Sequence, residues 1–228
     1  MRRFFVFTTG LLLAGLGACG SPHAPATADH AMGSPRMPGA CEASASANTG
    51  KMGCYFDEAV ELGTSAGSAF WHVDEFPNAT SAVQALASGS AVVRAYGRIF
   101  LQTVNDDAGW RPAGGRHLAT VGPMPTPKGS PVTARFMQAM TQPGANTRPH
   151  RHDGPEAFYL LSGAICMETP EGGQTTGPGE TYWVRGGVPM QLTSAGKEVR
   201  RSLFVVLHSS SQPWMTMAPD WTPTGACS

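Results

Sequence analysis

The chain is poor in charge: of its 228 residues 14% are Asp, Glu, Lys or Arg, and 16 basic residues balance 16 acidic ones. A surface that neutralises phosphates needs a basic stripe; without one, nucleic acid is excluded as a partner. Long apolar stretches are also missing. The extended run from Phe4 to Leu16 is well short of the roughly 20 residues that cross a hydrocarbon core. There is no internal repeat and no heptad pattern, which argues against a solenoid or a coiled coil. No nucleophile elbow, cofactor loop or independent acid/base pair names a reaction. The cysteines number five, and none has the clustered Cys/His spacing of a structural zinc site.

What the chain does have is turn formers, with 28 Gly and 19 Pro, a profile of many short strands. Its length suits one well-cored domain with tails. Arg2 and Arg3 precede the apolar run, and small residues follow it, as in a signal peptide. The run ends Leu16-Gly17-Ala18-Cys19, which resembles a bacterial lipobox. That resemblance implies lipidation of Cys19; Gly20 in place of Asp implies outer-membrane residence facing the periplasm. An exported location permits disulfides among Cys41, Cys54, Cys166 and Cys227. Three complete pairings exist. Cys41 with Cys54 is preferred because the Ser/Ala/Gly-rich stretch between them closes easily, which leaves Cys166 and Cys227 paired or free.

The expected organisation is a signal peptide over 1–18, a tether over 19–53 and a folded domain over 54–228. The tether is Ala, Ser, Gly and Pro with almost no large apolar residue, so it cannot bury a core. Its His23, His30, Met32, Met37 and Met52 are too few and too irregular for a copper-binding tract. Asn78 to Ser81 offers capping side chains for a short helix over 82–87, which Gly89 can end. Ala91 to Ala95 and Arg98 to Val104 read as strands joined by a turn or bulge at Gly97. Residues 105–130, with Pro123, Pro125 and Pro127, read as an extended surface connection. Alternation over Val132 to Met140 marks a strand. Short strands recur at Phe158 to Leu161, Ala164 to Glu168, Thr181 to Val184, Met190 to Thr193 and Leu203 to His208. Such spacing argues for an all-β sandwich or barrel.

Chemistry concentrates between Gly144 and Gly163. Residues two apart on a strand share a face, so His150 and His152 project together. A turn at Asp153-Gly154-Pro155 then brings Glu156 beside them on the inward face, with Phe158 and Leu160. Two imidazoles and one carboxylate form the set that binds Fe(II) and related divalent ions while leaving coordination positions open. The spacing Gly144, five residues, His150-x-His152, three residues, Glu156, six residues, Gly163 resembles the first motif of the cupin superfamily at every fixed position. Chance would produce it in a chain of this length and composition on the order of one time in ten thousand.

The resemblance implies an RmlC-like jelly-roll β-barrel with its core motifs in 130–210, and a metal held by His150, His152 and Glu156. Residues 177–190 resemble the second cupin motif, but where most metal-binding cupins place a fourth ligand, a His, this chain has Met190. Three readings follow: Met190 lines the pocket of a three-ligand site, its thioether serves as a soft fourth ligand, or the site no longer holds metal. Tyr182 and Trp183 straddle the pleat, so one faces inward; Tyr182, Phe158 and Arg148 are the pocket candidates. His208 near the end of the last strand, and His72 and His117 outside the motif, read as structural or exposed.

The cofactor implied is one divalent transition metal: Fe, Mn, Ni, Cu or Zn. The expected function is a metal-dependent enzyme, oxygenase- or lyase-like, acting on a small molecule in the periplasm. The alternatives are a non-catalytic module binding a metal or small molecule at the envelope and a purely structural barrel. Expected partners are a small-molecule ligand or substrate, the membrane through a lipid anchor, and a second copy of the chain in a homodimer.

Overall fold

The computed structural model describes residues 41–227 other than 42, 48, 49, 65 and 66. The expected signal peptide, Cys19 and the expected tether up to residue 40 lie outside the described residues. In chain order the strands are β1 (Gly53–Thr64), β2 (Ser68–Phe76), β3 (Ser90–Ala95), β4 (Arg98–Asn105), β5 (Arg116–Pro125), β6 (Pro131–Thr141), β7 (His150–Arg151) and β8 (Glu156–Ser162). There follow β9 (Ala164–Thr169), β10 (Gly172–Thr176), β11 (Thr181–Val184), β12 (Gln191–Ala195), β13 (Arg200–Ser209) and β14 (Thr216–Met217). One short helix, α1 (Ala79–Gln84), follows β2. Asn78 caps it, accepting the Ser81 amide at 2.9 Å, so the helix starts three residues earlier than its apolar stretch suggests.

A five-stranded antiparallel sheet, ordered β1-β6-β13-β8-β11, runs through the middle of the fold. Alternation along each strand sends side chains to both of its faces, and both are covered. Phe136, Ala157, Leu203 and Val205 pack on Trp71, Val73, Val93 and Phe100 of a four-stranded sheet ordered β3-β4-β2-β5. Met137, Phe158, Phe204 and Val206 face the other way, against Ile165, Met167 and Leu192 of the three-stranded sheet β10-β9-β12. These two sheets enclose the interior of the jelly roll, and β7 with β14 forms a further two-stranded pair. Each fully buried large apolar side chain stabilises the fold by roughly 1.5–3 kcal/mol.

The outer four-stranded sheet is the main departure from a barrel alone. Residues 105–130, expected as an extended connection, contain β5. Its prolines fit because β5 is the edge strand of its sheet, pairing only with β2, so Pro123 and Pro125 interrupt no inner ladder. At the other end of that sheet Tyr96 and Gly97, both with positive φ, form the two-residue turn between β3 and β4. Tyr96 then donates to the carbonyls of Ala139 at 2.7 Å and Ser202 at 3.2 Å, anchoring this hairpin to the central sheet.

Both cysteine pairs are closed as disulfides, Cys41–Cys54 and Cys166–Cys227. The first ties the segment before β1 to that strand, and the second ties the C-terminal segment to β9. Gly163, the last fixed position of the first motif, turns β8 into β9 with φ +64°, and a Cβ there would lie 2.8 Å from the Arg200 backbone. Only glycine meets both conditions without strain.

Candidate metal centre

Three elements build the centre. β7 carries His150, the residues after it carry His152, and Glu156 opens β8. The intervening loop is held against β13: the Ser209 amide donates to Asp153 Oδ2 at 2.9 Å, and the Leu207 amide donates to the Pro155 carbonyl at 2.9 Å. In β8, Glu156 lies opposite Val206 of β13 and shares its face with Phe158 and Leu160, so its carboxylate enters the barrel interior. His150, His152 and Glu156 are all buried, and one ligand atom from each lies within 4.8 Å of the others.

The imidazoles are oriented through their Nδ1 atoms. His150 Nδ1 donates to the Arg148 carbonyl at 2.8 Å, and His152 Nδ1 donates to the Trp214 carbonyl at 2.6 Å. A carbonyl only accepts, so each ring is fixed in the tautomer that presents a bare Nε2. This is the outer-shell arrangement that prepares histidines for metal. His152 Nε2 lies 3.3 Å from Glu156 Oε2, and both atoms are buried without a hydrogen-bond partner. Burial, together with the neighbouring His152, pushes the pKa of His150 down, favouring the neutral ligand form. Burial also acts to lower His152, but the adjacent Glu156 outweighs it and raises the pKa. Orphaned buried acceptors, fixed tautomers and a two-imidazole, one-carboxylate donor set all fit a divalent cation.

Met190 lies directly opposite His150. The two exchange both backbone hydrogen bonds, at 3.0 and 2.8 Å, which puts their side chains on the same side of the pair. Met190 is completely buried among Phe158, Leu192 and Val206. Tyr182 pairs with Phe158 and packs toward this interior, whereas Trp183 packs on the opposite face of the sheet. Arg148 is exposed and contributes its carbonyl rather than its guanidinium. His208 donates through Nδ1 to the carbonyls of Ser209 and Gln212 and does not join the cluster. His72 and His117 stand in a hydrogen-bonded row on the outer sheet, Asp74–His117–Thr120–His72–Asn105, with spacings of 2.9 to 3.1 Å.

Trp214 has no signature in the sequence. Its carbonyl fixes His152, its ring stacks on that imidazole with centroids 5.5 Å apart, and the Arg135 guanidinium sits 4.8 Å from the indole. It belongs to a C-terminal segment bound across this end of the barrel by the β7–β14 pair, an Arg151–Asp220 ion pair and the Cys166–Cys227 disulfide. A surface groove of about 880 Å³ lies elsewhere, lined in part by Arg94, Tyr96, Arg98, Gln138 and Arg201, and takes in none of the three clustered residues. The donor chemistry, not the size of that groove, locates the candidate site.

Comparison with known proteins agrees on the domain. Residues 137–206 match the cupin domain family. No curated protein matches the chain. Among solved structures, a DMSP lyase from Ruegeria pomeroyi DSS-3 is 15% identical with a TM-score of 0.34, over 40% of this chain and 45% of that one. A cupin superfamily protein from Desulfitobacterium hafniense DCB-2 is 13% identical with a TM-score of 0.31, over 33% of this chain and 68% of that one. A cupin domain from Bordetella pertussis Tohama I is 23% identical with a TM-score of 0.28, over 32% and 78%. The chain spans less than half the length of the DMSP lyase. The first motif lies on β7 and β8, and the match to the cupin domain family runs from β6 into β13, so the likeness to that family is carried by residues 137–206.

Proposed function

We propose that the barrel holds one divalent transition metal through His150, His152 and Glu156 and acts on a small molecule as an oxygenase- or lyase-like enzyme. The observation that carries this reading is the facing pair of buried, unpartnered acceptors, His152 Nε2 and Glu156 Oε2, beside a third donor that is also buried. An ion bound there would supply a Lewis acid or an oxygen-activating centre with coordination positions left open. The chain's own contribution is to fix both imidazoles by their Nδ1 protons and to exclude water behind Met190 and Trp214.

We also place the protein in the cell envelope, exported and anchored through Cys19. Two closed disulfides support an oxidising compartment, where such bonds persist. A second reading, a non-catalytic module that binds metal or a small ligand, is favoured by Met190 standing where most metal-binding cupins have a histidine.

Elemental analysis of the untagged protein and of His150→Ala tests the proposal. About one equivalent of Fe, Mn, Ni, Cu or Zn, lost in the variant, supports it. No metal after reconstitution with each ion overturns it. With metal bound, turnover in a small-molecule screen separates the enzyme from the binding module.

A further inference from the structure

The interior of the barrel contains a buried cation that the metal reading does not use. On β13, Arg200, Ser202, Phe204 and Val206 alternate onto the inward face, and Phe204 and Val206 belong to the same core as Met190. Val206 is the residue opposite Glu156. Arg200 is 2% exposed and is among the largest fully buried side chains. Among the described residues its one hydrogen bond runs from Nε to Thr141 Oγ1, at 3.0 Å, and it joins no ion pair. Thr141 is itself held by Ser194, with 2.5 Å between the hydroxyl oxygens. Nε is therefore fixed, and the two terminal nitrogens of the fork have no protein partner. Two residues along the same face, the buried Ser202 hydroxyl also has no hydrogen-bond partner.

A guanidinium without a partner anion is costly to bury. Burial lowers the Arg200 pKa to about 10, so it still carries its charge at neutral pH. Tyr96 and then Glu156 favour this charge, and Glu156 is the carboxylate of the two, acting through space from the candidate metal centre. Metal at that centre would offset the charge of Glu156 and leave Arg200 without a compensating carboxylate. A planar carboxylate from outside, accepting two parallel hydrogen bonds from the terminal nitrogens, would take that place.

We propose that Arg200 is the specificity-determining residue of the barrel interior, receiving the carboxylate of a small organic acid while Thr141 and Ser194 hold its guanidinium in place. Resting on the reading of the barrel as a small-molecule site, this assigns the substrate class: a small carboxylic acid, bound by its carboxylate at Arg200, with the rest of the molecule toward His152 and Glu156.

The test uses the full folded chain stripped of metal, with thermal unfolding followed in malonate and in the uncharged malonamide at equal ionic strength. Malonate should raise Tm saturably, by about 5 °C or more at 100 times its Kd, and malonamide should not. Arg200→Met should lose the malonate shift. In Arg200→Lys, which keeps the charge but not the fork, the malonate Kd should weaken at least tenfold. That variant carries the test if Arg200→Met does not fold. An equal shift in Arg200→Met, an unchanged Kd in Arg200→Lys, no shift in the wild type, or an equal shift with malonamide overturns the proposal. A protein that takes up no metal but is protected by malonate through Arg200 sinks the metal reading and leaves this one standing; metal uptake without malonate protection does the reverse.

Discussion

His152 Nε2 and Glu156 Oε2 lie 3.3 Å apart inside the barrel, and neither has a hydrogen-bond partner. Because the Trp214 carbonyl takes the Nδ1 proton of His152, a neutral ring turns a lone pair toward a carboxylate oxygen. Two acceptors at that distance repel unless a proton or a cation lies between them. The raised pKa of His152 shows the proton's solution to this problem. A divalent ion is the other, and it must displace that proton, so metal affinity is tied to pH.

Met190 faces His150 across a hydrogen-bonded pair, so a donor placed there would point at the same space. Met190→His is expected to tighten zinc binding at least about tenfold, the scale on which changes around a metal centre act. Met190→Leu is expected to leave zinc stoichiometry unchanged. Competition titration against a chromogenic chelator reads both; zinc lost in Met190→Leu would make the thioether a ligand.

The two disulfides close loops of different size, with 13 residues separating Cys41 from Cys54 and 61 separating Cys166 from Cys227. Chain entropy assigns them about 3 and about 4 kcal/mol respectively. Paired Cys→Ala replacement should therefore cost more for Cys166–Cys227, measured by urea unfolding. It should also weaken metal binding, because that bond helps hold the segment whose Trp214 carbonyl orients His152. Equal metal affinity in both double variants would show that the β7–β14 pair and the Arg151–Asp220 ion pair suffice.

Asp57 on β1 accepts from Gln138 Nε2 at 2.7 Å, while its second oxygen is buried without a partner. Burial raises its pKa from 3.8 to about 7, against the lowering effect of the Gln138 bond and with a further push from Glu58. Between those values the folded state holds a proton that the unfolded chain has released, so this group's contribution to stability falls as pH rises through the window and levels off above it. Asp57→Asn removes that dependence. The variant should gain on the wild type by a few kcal/mol between pH 4 and pH 8, on the order expected for a shift of this size. Parallel stability curves across that range would place the Asp57 carboxyl in a wetter setting.

The first motif was legible because its spacing is local. His150, His152 and Glu156 lie within seven consecutive residues, so strand alternation and one short turn are enough to bring them together. Short β-strands between Gly and Pro turns were legible for the same reason, as was the Asn78 cap. β5 was misread because proline is a local signal against strands, whereas an edge position that tolerates it is a property of the finished sheet.

By itself, then, the sequence determined the β class, the cupin motif with its three donors, and the missing fourth histidine at Met190. Tertiary structure decided what surrounds them. Cys227 meets Cys166 across 61 residues, Trp214 supplies a carbonyl to a histidine 62 residues earlier, and Arg200 is drawn unpaired into the same interior as Glu156. Each of these depends on which strands become neighbours in the folded sheets, and that choice is set by burying two apolar faces of one central sheet at once, a condition satisfied by the whole chain and by no short segment of it.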